Sequence, residues 1–564
     1  MESKSGANDP DFGYGSGLGS LSALEKMPTR ELNGIGKTHR DWPSGIVRVQ
    51  GPTFDQFGEK DGTPFQVIHH EGDALRGWRV KLSGEENAMM EIILSNPWGY
   101  EQISIPFQHR RAGDLFMQAH VVHNLVFLEL PTEIMAIDTL STDPIRGIRW
   151  RQPMGSNNLA EGTRTATDSL WGEKIARTSG QYSVLAANSQ GIFVRTGDQI
   201  QCLSLTTGDK LWSRKGFQRM ALGGGDGNRL LVVESSMQRC SVLDCRDGSL
   251  IATRKLPEGW EVKAVIGTKI LLNAKRDNGK ELLLWDAANE TNLLQDRFLR
   301  EAVGTLFEGK YFVALDMEKK STDTSLIFWN LESGQKYRYP YADASRTQEL
   351  RCMRFGDIIV VMPYSTKYEM EGFSVQSASK QLVSGPCMGI HEKDGRPLWQ
   401  KAVVIKNYYF HPSQLRSAPV LVLPRRERIM DKQNGELTSL AFLDVRTGET
   451  IREIHGLKSI RGVGYSQRVD PESNRTRISF SGYSVELDFT DEEGPPTPLS
   501  TIGDTTLQDL LRAMENVNRK DPSSDLFGNE LDPIHGGMGN RFQQELRNPL
   551  IPIPAQPQNP PRNR

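Results

Sequence analysis

From Gly113 to about Glu493 the apolar residues fall in short runs that alternate with polar ones, and turn-forming residues separate the runs. Ile192 to Arg195 is one such run and Gln199 to Leu205 another, with Gly197-Asp198 between them. Alternation with a period of two marks a half-buried strand, and the three-and-four spacing of a helix is almost missing here. The pattern predicts an all-β region of short antiparallel strands. Outside it the pattern changes. Residues 1–60 carry Gly, Ser, Asp and charge with few apolar clusters, which predicts a disordered arm. Residues 61–112 hold strand-like runs such as Phe65-Gln66-Val67-Ile68 and Met90-Glu91-Ile92-Ile93-Leu94, a short β-rich lead-in or a partial blade ahead of the strand-rich region. Residues 494–564 lose the alternation and predict a tail with one short amphipathic helix over about 504–517. Asp504 or Thr505 can cap its start, and Leu507, Leu510, Leu511, Met514 and Val517 fall on one face. That face suits docking against the strand-rich region, or recruiting another protein. The Pro- and Asn-rich end of the tail reads as disordered.

The strand-rich region repeats itself. Gly191 to Trp212 parses into a strand, a turn at Gly197-Asp198, a second strand, a turn at Thr206-Thr207-Gly208, and a third strand opening on Leu211-Trp212. Ser183 to Ala186 supplies a strand ahead of it. The same ending recurs at Val242 to Gly248, Ile327 to Gly334, Gly389 to Gly395 (closing on Trp399) and Phe442 to Gly448. Fainter copies end at Asp138, Asp286 and Asp488. As a ruler, Asp138, Ser204, Asp244, Asp286, Asn330, His391, Asp444 and Asp488 are mostly spaced on the order of 40 to 50 residues, the size of one propeller blade. Excess length before Ser204 and before His391 is assigned to loops. A four-stranded meander repeated at this interval predicts a β-propeller of seven to eight four-stranded blades, with eight the better count.

The repeated residues have a mechanical reason. An Asp or Asn leaving a strand can accept hydrogen bonds from backbone amides two or three residues ahead and so hold a tight turn. A following Gly supplies positive φ. A Trp four residues later can wedge between blades, where burying its ring stabilises by about 2–3 kcal/mol. The blade motif residues are therefore Asp138, Thr207, Gly208, Trp212, Asp244, Gly248, Asp286, Asn330, Gly334, Gly395, Trp399, Asp444, Thr447 and Gly448. Their pattern resembles the pyrroloquinoline-quinone-like repeat family, whose blade signature is Ala-x-Asp-x-x-Thr-Gly-x-x-x-Trp. Cys202 to Trp212 matches at Thr207, Gly208 and Trp212; Gly389 to Trp399 matches at Gly395 and Trp399; Phe442 to Arg452 keeps Asp444, Thr447 and Gly448 but ends on Arg452. The resemblance implies an eight-bladed propeller. WD-repeat propellers share endings such as Trp285-Asp286 and Trp329-Asn330, but the Gly-His that opens their repeats is missing.

Composition and candidate chemistry narrow the function. Sixty-eight Lys and Arg balance seventy Asp and Glu, which gives no electrostatic footprint for nucleic acid. Members of the resembled family that act as dehydrogenases carry a quinone, a calcium and adjacent cysteines. This chain has no Cys-Cys pair, and its five cysteines (Cys202, Cys240, Cys245, Cys352, Cys387) read as small apolar residues, with one bridge conceivable in an oxidising compartment. Gly34 to Thr38 imitates the end of a phosphate-binding loop, but Glu31 stands where the first Gly is required. Gly223 to Gly227 reads as a flexible connector between blades. His120 and His123 are three apart on a strand and face opposite sides, and His69-His70 stands alone. Asn289-Glu290-Thr291 and Asn474-Arg475-Thr476 are glycosylation sequons by pattern. The expectation is a scaffold of the non-catalytic branch, binding a protein or peptide, with no cofactor, no metal and no catalytic residue. A degenerate quinone-dependent oxidoreductase and a WD-type interaction propeller are the alternatives. The start lacks the apolar core of a secretory signal, and no apolar run is long enough to span a membrane. A cytoplasmic location is expected for the chain as it stands, or the cell envelope if it is one piece of a longer protein.

Overall fold

The computed structural model describes stretches of the chain between residues 47 and 489. Residues 1–46, 490–564 and several internal segments, the longest being 154–181 and 369–381, lie outside the described residues, as does the expected helix at 504–517. By internal contacts the chain divides into two units. One comprises Met1–Ile454 with Lys458–Asp504, and the other His455–Leu457 with Thr505–Arg564.

The first unit is an all-β propeller of nine sheets. In chain order, blade 1 holds β2 (Thr63–Pro64), β4 (Arg79–Ser83), β5 (Met90–Ser95) and β6 (Glu101–Phe107). Blade 2 holds β7 (Gln118–Val122), β8 (Leu125–Glu129), β9 (Glu133–Asp138) and β10 (Ile148–Pro153), with β3 (Gln66–Glu71) added parallel to β7. Blade 3 is β11 (Tyr182–Asn188), β12 (Gly191–Thr196), β13 (Gln199–Leu203) and β14 (Lys210–Lys215). Blade 4 is β15 (Leu222–Gly225), β16 (Arg229–Glu234), β17 (Arg239–Asp244) and β18 (Leu250–Lys255). Blade 5 is β19 (Glu261–Ile266), β20 (Lys269–Arg276), β21 (Gly279–Asp286) and β22 (Thr291–Phe298). Blade 6 is β23 (Val303–Phe307), β24 (Tyr311–Met317), β25 (Thr324–Asn330) and β26 (Gln335–Tyr341). Blade 7 is β27 (Thr347–Phe355), β28 (Ile358–Ser365), β29 (Leu382–His391) and β30 (Val403–Tyr409), and blade 8 is β31 (Val420–Arg428), β32 (Glu436–Asp444) and β33 (Thr450–Lys458). Blade 9 joins β34 (Tyr465–Asp470), β35 (Arg475–Phe480) and β36 (Tyr483–Phe489) to β1 (Val47–Phe54), which supplies its outer strand.

The eight ruler residues mark blades 2 to 9, one each. The count of eight therefore needs correcting to nine: the residues expected to form a lead-in or partial blade make a four-stranded sheet of their own, blade 1. Ser95, which ends β5, stands four residues before Gly99 as Ser204 stands before Gly208, so blade 1 carries a Ser-type mark that the ruler of eight residues leaves out. Val47–Phe54, expected within a disordered arm, pairs antiparallel with β36 from Val47↔Phe489 to Phe54↔Tyr483. The stretches 154–181 and 369–381, which fall within the two long intervals on the ruler, lie outside the described residues.

Among the described residues, neighbouring blades bury their apolar faces against each other. The buried clusters straddle seams: Leu185, Phe193 and Ile200 of blade 3 pack with Leu230, Val232 and Leu243 of blade 4. Leu231 and Val242 of blade 4 pack with Ile270, Leu272 and Trp285 of blade 5. Inner strands of successive blades lie side by side, β11 by β15, β15 by β19 and β23 by β27. Gly223, Gly224 and Gly225 belong to this inner layer as strand β15 and are not a flexible connector. A methyl group on Gly224 would stand 2.7 Å from Val265 and 2.8 Å from the Gly267 carbonyl, so the glycines let the neighbouring blades close in.

Candidate functional site

The turn motifs have a common geometry. Asp244 accepts the Arg246 amide on Oδ1 at 2.9 Å, while the Gly248 amide donates to the Asp244 carbonyl at 2.9 Å. Asp444 does the same with Arg446 (2.9 Å) and Gly448 (2.8 Å). Asn330 Oδ1 accepts from Glu332 (3.1 Å) and Ser333 (3.0 Å), and Gly334 bonds back to Asn330. Asp286 holds Ala288 and Asn289, and Asp138 holds Leu140 and the Arg149 guanidinium. Where Asp is replaced the turn persists: Ser204 Oγ accepts from Thr207 at 3.3 Å, and the His391 ring from Lys393 at 3.3 Å. Thr207 and Thr447 accept from Asp209 and Glu449, two residues on. These side chains are spent on turns.

The tryptophans close the seams. Trp212 Nε1 of blade 3 donates to the Cys245 carbonyl of blade 4 at 2.9 Å, and its ring lies over Gly248, where an added Cβ would come within 2.6 Å of it. Trp399 of blade 7 repeats this on blade 8, donating to Val445 at 2.7 Å above Gly448. Trp150 of blade 2 does so on blade 3, donating to Leu205 at 2.9 Å above Gly208. Sequence reasoning missed Trp150, because it lies twelve positions after Asp138 where Trp212 lies eight after Ser204. Gly395 is covered by Phe328 of blade 6, and among the described residues nothing stands over Gly334.

One opening combines polar groups with space. A cleft of about 250 Å³ at the seam of blades 6 and 7 is lined by Tyr311, Asn330, Asp357, His391, Glu392 and Lys393. Beneath it Arg354, 5% exposed, pairs with Glu392 and with Glu308 (2.7 Å), and its guanidinium lies 5.5 Å over the Tyr311 ring. Tyr311 donates its hydroxyl to Glu392 at 2.7 Å. Burial, and then the Glu392 carboxylate, push the Tyr311 hydroxyl up to about 12. Burial alone would weaken the Arg354 charge, but Glu308 and Glu392 outweigh it and raise its pKa. His391 sits between two carboxylates, 3.8 Å from Asp357 and 3.5 Å from Asp394. His391 and Gly395 were legible as turn residues; Tyr311, Arg354 and Glu392 come from three separate segments, and no local motif announces them.

A second polar cluster surrounds β3. His70 Nε2 and His120 Nδ1 are 3.0 Å apart with the rings stacked, and His120 Nε2 lies 3.4 Å from Glu129. His70 is thus not alone, a pairing across fifty positions that spacing could not reveal. Burial first, then His120 and His69, lower its pKa to about 3. Glu71 accepts the Ser189 amide of blade 3 at 2.8 Å and lies 3.8 Å from His123. The five cysteines are free thiols. Burial pushes Cys202, Cys240 and Cys245 up to about 12, which leaves them unreactive near neutrality. Asn289 donates to Asp286 at 2.9 Å inside its turn, while Asn474 lies outside the described residues. Among the described residues no helix is long and apolar enough to cross a membrane.

No protein-family model matches the chain, and a comparison with curated proteins finds no match. Solved structures similar to it include BamB from Moraxella catarrhalis, 12% identical over 79% of this chain and 100% of that one, with a TM-score of 0.29. The WD40 domain of SCAP from fission yeast is 9% identical over 79% of this chain and 99% of that one, with a TM-score of 0.34. The dihydro-heme d1 dehydrogenase NirN is 14% identical over 66% of this chain and 74% of that one, with a TM-score of 0.31.

Proposed function

We propose that this propeller is a non-catalytic binding module that receives a protein or peptide, with the seam cleft of blades 6 and 7 as a receptor site. The observation that carries the reading is a cleft whose floor is fixed and whose rim is charged. The Arg354–Glu392–Glu308–Tyr311 network holds the floor in place. Asp357 and Lys393 stand exposed at the rim with opposite charges. Such a site can orient a polar side chain without rearranging. Its volume, about 250 Å³, falls below the ~300–1,000 Å³ of pockets that enclose whole cofactors or drug-sized ligands. It suits one side chain of a partner. Tyr311 keeps its proton to about 12 and Arg354 keeps its charge, so these two groups serve as fixed hydrogen-bonding and charged contacts.

The test replaces exposed Lys393 with a photo-crosslinking amino acid and exposed Glu258, remote in sequence, with the same group as control. A single defined adduct at position 393, absent at 258 and lost on adding Asp357→Lys, is expected. Equal adducts at both positions, or none at 393, would overturn the reading.

A further inference from the structure

The large apolar side chains exposed among the described residues are Leu211, Met237, Leu250, Ile251 and Leu293. All but Met237 lie on the outer strands of blades 3, 4 and 5, and three of them occupy one repeated position. In blade 3, Lys210 pairs with Leu203 and Trp212 with Cys202, which leaves Leu211 as the unpaired residue of a bulge. In blade 4 the bulge leaves Ile251, between Leu250↔Leu243 and Ala252↔Val242. In blade 5 it leaves Leu293, between Asn292↔Trp285 and Leu294↔Leu284. Single exposed apolar residues scattered over a surface are ordinary. The same bulge carrying an exposed branched aliphatic residue in three consecutive blades is not scatter. The row is also bounded: the blade 2 bulge carries Arg149, and blade 6 pairs without a bulge, exposing Lys336 beside Tyr337.

Parallel rows flank it. Two residues further along each strand stand Ser213, Thr253 and Gln295, and two further again Lys215, Lys255 and Arg297, all exposed. Arg297 lies 3.7 Å from Glu281, yet its side chain is 84% exposed. On the turn side stand the exposed acids Asp209, Asp247 and Glu290. The rim of these blades thus presents carboxylates, aliphatic groups, neutral polar groups and cations in successive rows.

We propose that the outer rim of blades 3 to 5 is a docking ledge for an amphipathic helix of a partner protein whose apolar stripe is bordered by Asp and Glu. The aliphatic row takes the stripe, and the Lys215–Lys255–Arg297 row takes the carboxylates. An added strand does not suit this edge, since the bulges interrupt the ladder it would extend. An anionic bilayer suits it less than a helix does, because Asp209, Asp247 and Glu290 would face the lipid beside the apolar row. The ledge stands apart from the seam cleft, and either reading can fail without the other.

The test uses the full chain and three probes: a designed helical peptide with a Leu stripe bordered by Glu, its twin with Lys for Glu, and phosphatidylserine-containing vesicles. Fluorescence anisotropy should show the Glu peptide binding about tenfold or more tightly than its twin, the size expected when charge and apolar contact act together. Leu211→Ser/Ile251→Ser/Leu293→Ser should abolish that binding. Lys215→Glu/Lys255→Glu/Arg297→Glu should reverse the preference, and Asp357→Lys in the seam cleft should leave it unchanged. All these positions are exposed, so melting temperatures should stay near that of the parent. Equal affinity for the two peptides, binding that survives the Ser variant, or vesicle binding in place of peptide binding would each overturn the proposal. The peptide discrimination by the unmodified chain decides the matter even if a variant misfolds.

Discussion

Gly248 and Gly334 occupy the same turn position with nearly the same backbone angle, φ 71° and 74°, yet only Gly248 lies beneath a tryptophan. The pair separates two costs that a motif residue usually carries together. Gly334→Ala adds only left-handed backbone strain, about 1–2 kcal/mol. Gly248→Ala adds that strain and drives a methyl group into the Trp212 ring, a further ~1–3 kcal/mol of overpacking. Urea unfolding should therefore rank Gly248→Ala clearly below Gly334→Ala; equal losses would mean that the Trp lid contributes nothing. The histidine pair gives a prediction of opposite kind, in pH. His70 titrates near 6.5 unfolded and about 3 folded, so the unfolded chain takes up the proton first. The contribution of neutral His70 is complete above about pH 6.5 and is lost as pH falls toward 3. Replacing it by Gln should flatten the decline in unfolding midpoint between pH 7 and 4, and a slope identical to the parent would refute the assignment.

At the scale of elements, two strands do what their neighbours in sequence do not. β3 leaves blade 1 and runs parallel to β7 of blade 2, from Gln66↔Gln118 to Glu71↔Val122, where Glu71 reaches the Ser189 amide of blade 3. β1 crosses the whole repeat array to complete blade 9 beside β36. A sheet missing its outer strand exposes a row of unpaired backbone groups and loses the seam beyond it. Removing residues 47–54 should therefore lower the melting temperature, broaden the calorimetric transition and promote association, whereas removing residues 1–44 should leave the strand pairing with β36 in place. An unchanged transition after loss of β1 would show that the pairing adds no stability. Bulges act at this scale too. The one extra residue in β14, β18 and β22 leaves Leu211, Ile251 and Leu293 exposed at the same bulge position of three consecutive blades.

At the scale of the whole molecule, stability is shared at seams, because each cluster of buried residues draws on neighbouring blades. That is why a motif residue in one blade is explained by a glycine in the next, as Trp150 is by Gly208 and Trp399 by Gly448. The chain's own order of residues determined everything set by neighbours within a few positions: the alternation that makes strands, the Asp, Asn, Ser or His that holds each turn, the positive-φ glycine after it, and the blade interval. Those interactions are local, so they leave a periodic trace. Blade 1 left a fainter trace, Ser95 four residues before Gly99, without the Asp and Trp that make the other copies conspicuous. The outer strand from residues 47–54, the parallel excursion of β3, the meeting of His70 with His120 and the convergence of Tyr311, Arg354 and Glu392 were decided only by tertiary structure. Each joins segments far apart in the chain through burial and charge. Closing a ring of sheets decides which of those segments meet, and nothing in a linear pattern records the closure.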